Sequence, residues 1–498
     1  MSIPKTKKIN PHLQQFQTKE MSVPVIFHTS DALLPNQHTF DQLENLGKDK
    51  RLFSHIAAMS DVHPKAGRKN PTGTIVVSKT HLFPQINDTA PNCGMRFLRT
   101  DLNDQNLTEE KIDELFKELI NVIPTKKYVG NKISYRLAVD IAHKGIAPLL
   151  SHLKSRTKNE LENTSMGGNM ISNEITQKDI FDSIPKFFFH VGKYRLGILG
   201  AAGNHFLDLM KITEIKDNEI AEKFNLKVGQ YIFLMHTGSG LFGQYASYMY
   251  TPKTKEHFSQ KMMLKIGTTF FDSQKKQVYK NISKKIKKYQ NSNEFLGYEA
   301  DSLEGKMYLT AHQASANFGF ANRSVLTDNL DRALEKVFGR QINLDLLYDT
   351  PHIFNRQEKH FDEDVWVHRN GTVSANGPKR MQSHPLFSQT GEPVFIPSSM
   401  STPAYLGVGT DENDSSFFSA SHGTGKRAES QEDAAQNKKE LFEKMEKRHV
   451  RLYNAASKGV VLQDSSYYKD VEEVISGMEE NKIIKSVVKM QPVAVLMY

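Results

Sequence analysis

The strongest constraint on this chain is a pattern that recurs along it: a short apolar strand runs straight into a glycine-bearing or polar turn. Tyr231 to Met235 leads into His236-Thr237-Gly238-Ser239-Gly240, and Val365 to Val367 into His368-Arg369-Asn370-Gly371. Val394 to Ile396 leads into Pro397-Ser398-Ser399-Met400. Phe417 and Phe418 precede Ser419 to Ser421, and then His422-Gly423-Thr424-Gly425-Lys426-Arg427. Strand ends that open into glycine turns are where sheet-based proteins place ligand sites, because bare backbone amides can approach phosphate oxygens there. The pattern predicts an α/β fold in the mixed α+β sense, with central sheets and a cleft at their ends. No internal repeat or composition break divides the chain, so residues 1–498 read as one large domain.

Helices are predicted between these strands. Thr108 can cap a helix that carries Ile112, Leu115, Phe116, Leu119 and Ile120 at helical spacing, a stripe that should face a core. Lys275 to Gln290 holds seven lysines around Val278, Ile282 and Ile286 and reads as an amphipathic basic helix, either a solvated face or a phosphate-contacting surface. Ser430 to Val450 reads as a charged helical stretch. With 38% hydrophobic and 24% charged residues the chain is of the globular class. Its net charge of +9 suits a polyanionic partner. Met1 to Asn10 is polar and lacks the apolar segment of a signal peptide, and no run of about 18 apolar residues appears, so the cytoplasm is the expected compartment.

The single cysteine, Cys93 in Asn92-Cys93-Gly94, excludes an intrachain disulfide. One strand-end histidine is ordinarily structural. Several beside glycine, together with a lone thiol, form a transition-metal ligand set, and donor softness alone suggests zinc. Gly200 to His205 is not a nucleotide motif by itself, and His422 to Lys426 is too short for a P-loop. The residues alone do not name a reaction.

Taken together, the segments resemble the RtcB RNA ligases, in that family's order. Met59-Ser60-Asp61-Val62-His63 resembles the early MPD-x-H signature, and Asn92-Cys93-Gly94-Met95-Arg96 with Leu98-Arg99-Thr100 the metal-cysteine segment. Leu199-Gly200 with Gly203-Asn204-His205-Phe206 resembles GSGNHF, and His236-Thr237-Gly238-Ser239 resembles HSGS. Ala316-Asn317-Phe318 with Ala321-Asn322-Arg323 resembles the ANFAWANRQ helix, followed by Tyr348-Asp349 and His352. Val367-His368-Arg369 with Gly371, Ile396-Pro397 with Ser399-Met400, His422-Gly423 with Gly425, and Tyr468-Lys469-Asp470-Val471 complete the set.

The resemblance implies an enzyme that joins RNA 3′-phosphate or 2′,3′-cyclic phosphate ends to 5′-hydroxyl ends, as in tRNA splicing or RNA repair. It implies GTP and Mn²⁺ as cofactors, RNA ends such as tRNA halves as partners, and an archease-like activator as a further partner. His422 would be the nucleophile that carries GMP. Cys93, His236 and His352 would hold one Mn²⁺, and Cys93 with His205 a second. Asn204 would contact nucleotide phosphate, Phe206 and Asp208 would lie around guanine, and Ser399, Gly423 and Gly425 would line the pocket.

The sequence departs from the family pattern at several places. Ala90 stands where the family has an aspartate three residues before the metal cysteine, and Asp88 is the nearest substitute. Met497 stands where the family has a lysine against guanine, Gly240 replaces an arginine, Ala404 replaces a pocket serine, and Asp208 is shorter than the family's glutamate. The turn after His63 has become Pro64 to Pro71 with Lys65, Arg68 and Lys69. Two readings follow: a divergent ligase with a weakened second metal site and relaxed base preference, or a ligation-deficient paralogue that binds metal, nucleotide or RNA ends. A metal-dependent phosphohydrolase acting on RNA ends is a third. Cys93, His205, His236, His352 and His422 are all retained, which random decay would not spare, so the active ligase is expected.

Overall fold

A computed structural model describes residues 4–65, 67–87, 90–125, 130–154, 159–200, 204–253, 258–271, 273–427, 431 and 433–498. Met1, Asp88, Gly203 and Ser430, named above, lie outside the described residues. The strands in chain order are β1 (Lys7–Asn10), β2 (Leu13–Phe16), β3 (Val25–His28), β4 (Ile56–His63), β5 (Thr72–Ser78), β6 (His81–Leu82), β7 (Gly94–Thr100), β8 (Phe206–Ile215), β9 (Tyr231–Thr237) and β10 (Tyr298–Glu299). They continue with β11 (Leu344–Pro351), β12 (Ile353–His360), β13 (Glu363–Asn370), β14 (Thr372–Ser374), β15 (Pro393–Ile396), β16 (Ala404–Gly409), β17 (Ser419–Ser421), β18 (Arg451–Asn454) and β19 (Ile484–Met497).

Two large, mostly antiparallel sheets organise the molecule. The first is seven-stranded, in the order β1-β2-β3-β4-β5-β13-β12. The second is eight-stranded, in the order β11-β7-β9-β8-β19-β16-β15, with β18 parallel beside β19. The pairs β10-β6 and β14-β17 stand apart. This is the expected mixed α/β class, with helices covering the outer faces.

Period-two alternation explains how the sheets meet. In β9 every residue is buried: Ile232 and Leu234 face a core shared with the first sheet, while Tyr231, Phe233 and Met235 face the other side. On that outer side lie the helix Glu109–Val122 and the 36-residue helix Leu303–Phe338. The shared core also takes Met95 and Phe97 of β7 and Met210 and Ile212 of β8, against Ala57 and Met59 of β4, Ile75 and Val77 of β5, and Val365 and Val367 of β13.

Several sequence expectations need adjusting. The helix Glu109–Val122 is capped by Thr108, whose side chain accepts from Lys111 N, but Ile120 is 40% exposed, because it falls off the stripe of Ile112, Leu115, Phe116 and Leu119. The lysine helix spans Ser273–Gln290 and buries Tyr279, Ile282 and Ile286, with Val278 only at its margin. The charged stretch 430–450 contains a shorter helix, Lys438–Lys447. Phe417 and Phe418 are not strand: both have positive φ (52° and 47°), and pairing begins at Ser419. Among the described residues, no helix is long and apolar enough to cross a membrane.

Candidate functional site

The site grows out of the alternation that builds the core. In β9 the row Ile232–Leu234 ends in His236; before β7 the row Phe97–Met95 ends in Cys93; in β8 the row Ile212–Met210 ends in Asp208 and Phe206. In the facing sheet the row Ala57–Met59 of β4 ends in Asp61. Apolar rows thus fill the space between the sheets and polar residues finish them, at one edge of the core. There a cavity of about 790 Å³ opens, within the range of nucleotide-sized sites. Cys93, Asn204, His205, Phe206, Asp208, His236, His352, His422, Gly423 and Gly425 all line it.

Cys93, His236 and His352 bring their ligand atoms within 4.8 Å of one another. Cys93 Sγ lies 3.3 Å from His236 Nε2, and His236 Nε2 lies 2.9 Å from His352 Nε2. His205 Nε2 joins from the other side, 3.4 Å from the same sulfur, while its Nδ1 donates to Leu199 O at 2.9 Å and so leaves Nε2 with the lone pair. Burial lowers the pKa of His205 to about 4 and pushes those of His236 and His352 well below the usual value, so these rings are neutral, as metal ligands must be. Burial raises the Cys93 thiol to about 11. A cation between these atoms would restore its thiolate, and three converging neutral or ionisable donors fit a transition metal better than an apolar core.

One arginine holds the donor set in register. Arg323, fully buried on the long helix, donates from Nη1 to Thr237 O (2.8 Å) and Asn92 O (3.2 Å), and from Nη2 to Asn92 Oδ1 (2.8 Å) and Asp349 Oδ1 (2.7 Å). Those groups lie one residue after His236, one before Cys93 and three before His352. Gly238 is needed beside them, since a Cβ there would sit 2.7 Å from Cys93 Cα.

His422 follows β17 on the opposite wall. Its Nδ1 meets Asp61 Oδ2 at 2.8 Å, and its ring stacks on that of His352 with centroids 4.4 Å apart. Asp61 is fully buried, and when the ring donates Nδ1–H to its carboxyl oxygen the neutral tautomer leaves the lone pair on Nε2. Gly425, at φ +69°, lets the turn close over β4, where a Cβ would stand 2.5 Å from Asp61 O. Lys469, buried, donates to Ser60 O (2.6 Å) and Val62 O (3.2 Å), the carbonyls flanking Asp61, and burial lowers its pKa to about 8.

At the other end of the cavity Asp208 Oδ1 has no hydrogen-bond partner among the described residues, and burial pushes its carboxyl well above the usual range. Across the strand pair Phe206 faces Met497 and Asp208 faces Val495, and Met497 lines the cavity wall. Ala90 also lines the cavity, on the Cys93 side. Ser399 turns back on its own loop, with Oγ 2.9 Å from Thr402 Oγ1, while its neighbours Ser398 and Met400 line the cavity. His368 is drawn elsewhere: its Nε2 accepts from Phe83 N and its Nδ1 pairs with Val76 O, so it is structural. Sequence reasoning assigned no role to Asp61 or Arg323. The alternation Ala57–Met59–Asp61 carried the signal for the first, whereas nothing local marks the second.

Comparison with known proteins adds a family to this geometry. A family model described as "tRNA-splicing ligase RtcB" matches residues 42–497. The chain is 27% identical to the tRNA-splicing ligase RtcB of Nanoarchaeum equitans, over 99% of each chain. It is 26% identical to that of Methanococcus maripaludis, over 96% of this chain and 95% of the other. With the protein of the same name from Pyrobaculum aerophilum it shares 27% identity, over 95% and 94%.

Proposed function

Because the chain belongs to the RtcB family, we propose that it is an RNA ligase of tRNA splicing, which joins 3′-phosphate or 2′,3′-cyclic phosphate ends to 5′-hydroxyl ends with GTP and Mn²⁺. The observation that carries the reading is His422, with Nδ1 held by buried Asp61 and its ring against a member of the donor set. A bound metal at Cys93, His236 and His352, with His205 beside it, would neutralise charge on phosphate oxygens.

The chain's own residues account for the rest. Asp61 accepts a hydrogen bond from Nδ1–H and so fixes both the tautomer and the direction of the Nε2 lone pair. His422 Nε2 then bonds to the GTP α-phosphorus as the bond to the β-phosphate oxygen breaks and pyrophosphate leaves. The ring becomes cationic as that bond forms, and Asp61 stabilises the charge. Gly423, Gly425, Asn204, Phe206 and Asp208 all line the cavity; in this reading the turn amides and Asn204 take the phosphates, while Phe206 and Asp208 bound the base. Transfer of GMP to an RNA 3′-phosphate oxygen frees His422. The 5′-hydroxyl then attacks that phosphorus, loses its proton and expels GMP, a displacement that depends on holding both ends in line.

Intact-mass measurement after incubation with GTP and Mn²⁺ tests this reading. A GMP-sized increase is expected in the wild type and none in His422→Ala. Persistence of the adduct in His422→Ala, or its absence from the wild type, overturns it, and the second result would favour a binding paralogue. An archease-like activator belongs to the same proposal and is tested by multiple turnover with and without it. So does a cytoplasmic location, which suits one free thiol in a metal site.

A further inference from the structure

The helix Ser273–Gln290 takes no part in the site just described, yet it is unusual in charge. Seven of its eighteen residues are lysine and none is acidic. Its buried side, Tyr279, Ile282 and Ile286, anchors it firmly, and Tyr279 Oη donates to Met249 O at 2.8 Å on the helix Gly240–Tyr250, which lines the cavity. Two lysines are engaged, Lys275 with Asp182 and Lys285 with Glu304. Lys276, Lys280, Lys284 and Lys287 form a separate stripe with no acidic partner among the described residues. Their positions fall within one narrow sector of the helix and span roughly 16 Å along its axis at 1.5 Å per residue. Solvated helix faces ordinarily intersperse acids at i+3 and i+4, because like charges there repel. This stripe retains the repulsion unrelieved.

The end of the helix that carries the stripe is joined to the cavity by one loop. At its C-terminal end Lys69 Nζ donates to Tyr289 O (3.0 Å) and Glu294 O (3.1 Å). The preceding residues of that loop, Arg68 and Lys65, line the cavity itself. The C-terminal end of the helix is thus tied to the basic loop that lines the reaction chamber.

We propose that this lysine stripe is a docking surface for the body of the RNA substrate, gripping backbone phosphates remote from the end being joined. It rests on the ligase reading for the identity of the strand. The contacts are to phosphate and so carry no base preference. They add affinity for long RNA while leaving the chemistry at His422 untouched.

The test compares wild type with the quadruple variant Lys276→Gln, Lys280→Gln, Lys284→Gln, Lys287→Gln, and with the same four positions changed to Arg. The probes are a 24-nucleotide single-stranded RNA 3′-phosphate and a dinucleotide 3′-phosphate. Each lost phosphate contact lowers the slope of log K against log salt by about 0.7 for a single strand, so the Gln variant should lose about 3 units of slope. Its affinity for the 24-mer should fall by roughly tenfold or more at 0.1 M salt, the Arg variant should match wild type, and dinucleotide binding should not change. An unchanged slope overturns the proposal, as does equal weakening of both probes. Loss of binding to anionic lipid vesicles, with RNA binding intact, would also overturn it by assigning the stripe to a membrane. GMP-adduct formation is measured alongside. If the wild type forms none, the ligase reading fails, whereas the slope comparison still decides the docking surface.

Discussion

Asp61→Asn isolates the contribution of the carboxylate behind the nucleophile. Asp61 Oδ2 accepts from His422 Nδ1 at 2.8 Å, and the residue is wholly buried, so no water replaces a lost partner. Asparagine can present either end of its amide. If Nδ2 faces the ring it must donate to Nδ1, which forces the ring proton onto Nε2 and removes the lone pair needed for attack. If Oδ1 faces the ring, the contact survives without its charge and an amide N–H₂ is left buried without an acceptor. Either outcome forfeits a hydrogen bond to a charged group, typically about 1.5–3 kcal/mol, or roughly tenfold to 150-fold in rate if the interaction strengthens as the ring becomes cationic. The assay is single-turnover GMP-adduct formation, followed by intact mass with saturating GTP and Mn²⁺. Metal content is measured in the same samples, because Asp61 lies outside the Cys93, His236, His352 set and the variant should bind the ion normally. Adduct formation at the wild-type rate would refute the role given to Asp61. Slow formation accompanied by loss of the metal would refute it too, by showing that the effect runs through the donor set.

Elemental analysis after extensive dialysis should find one tightly held ion per chain, lost in Cys93→Ser and His236→Ala, with a second bound only at high Mn²⁺; two tight ions would show that another group replaces Ala90. Competitive labelling with equal GTP and ATP should show a weaker preference for GTP than a lysine at the base would enforce, and Met497→Lys should increase it by about tenfold to 150-fold. A strictly GTP-specific wild type, unchanged by that substitution, would make Met497 a bystander. For Lys469 the folded pKa, about 8, lies below the ordinary 10.5, so between those values the unfolded chain binds more protons and the folded state gains stability as pH rises. The penalty at neutral pH is about 3 kcal/mol. Denaturant unfolding of wild type relative to Lys469→Met should therefore improve from pH 8 to pH 10, and a pH-independent difference would contradict this.

What the sequence made legible follows from locality. The turns after β9 and β17 were readable because glycine and histidine mark a strand end within a few residues, and the structure brings Cys93, His236 and His352 together as a donor set. The end of the lysine helix was readable to the residue, since periodicity and charge coincide there. Sheet order was not, because β13 pairs with β5 across about 290 residues and carries β12 on its outer side, and nothing local encodes that distance. Arg323 was hidden for a related reason: its partners Asn92, Thr237 and Asp349 lie on three separate strands or turns, and only their convergence gives the side chain a role. Ile120 failed for the opposite reason, since a stripe extended by one residue drifts off the buried face.

The division of labour between the sheets bears on how the departures can coexist with catalysis. The donor set rests on the second sheet, through Cys93, His205 and His236, whereas Asp61 rests on the first and His422 on the turn that packs over it. His352 lies between β11 of one sheet and β12 of the other, so it is the residue at which the two halves meet, and it is also the one whose ring touches His422. Ala90 and Met497 both lie on the second-sheet side, one by Cys93 and one opposite Phe206. Among the described residues, no hydrogen bond, ion pair or ring contact joins either to the Asp61–His422 pair. A change in metal occupancy or base preference can therefore accumulate without disturbing the nucleophile, provided the shared core keeps the sheets in register. Substitutions at Met59, Met95 or Leu234 in that core should then impair adduct formation beyond their cost in stability, because each sits in a row that ends at the site.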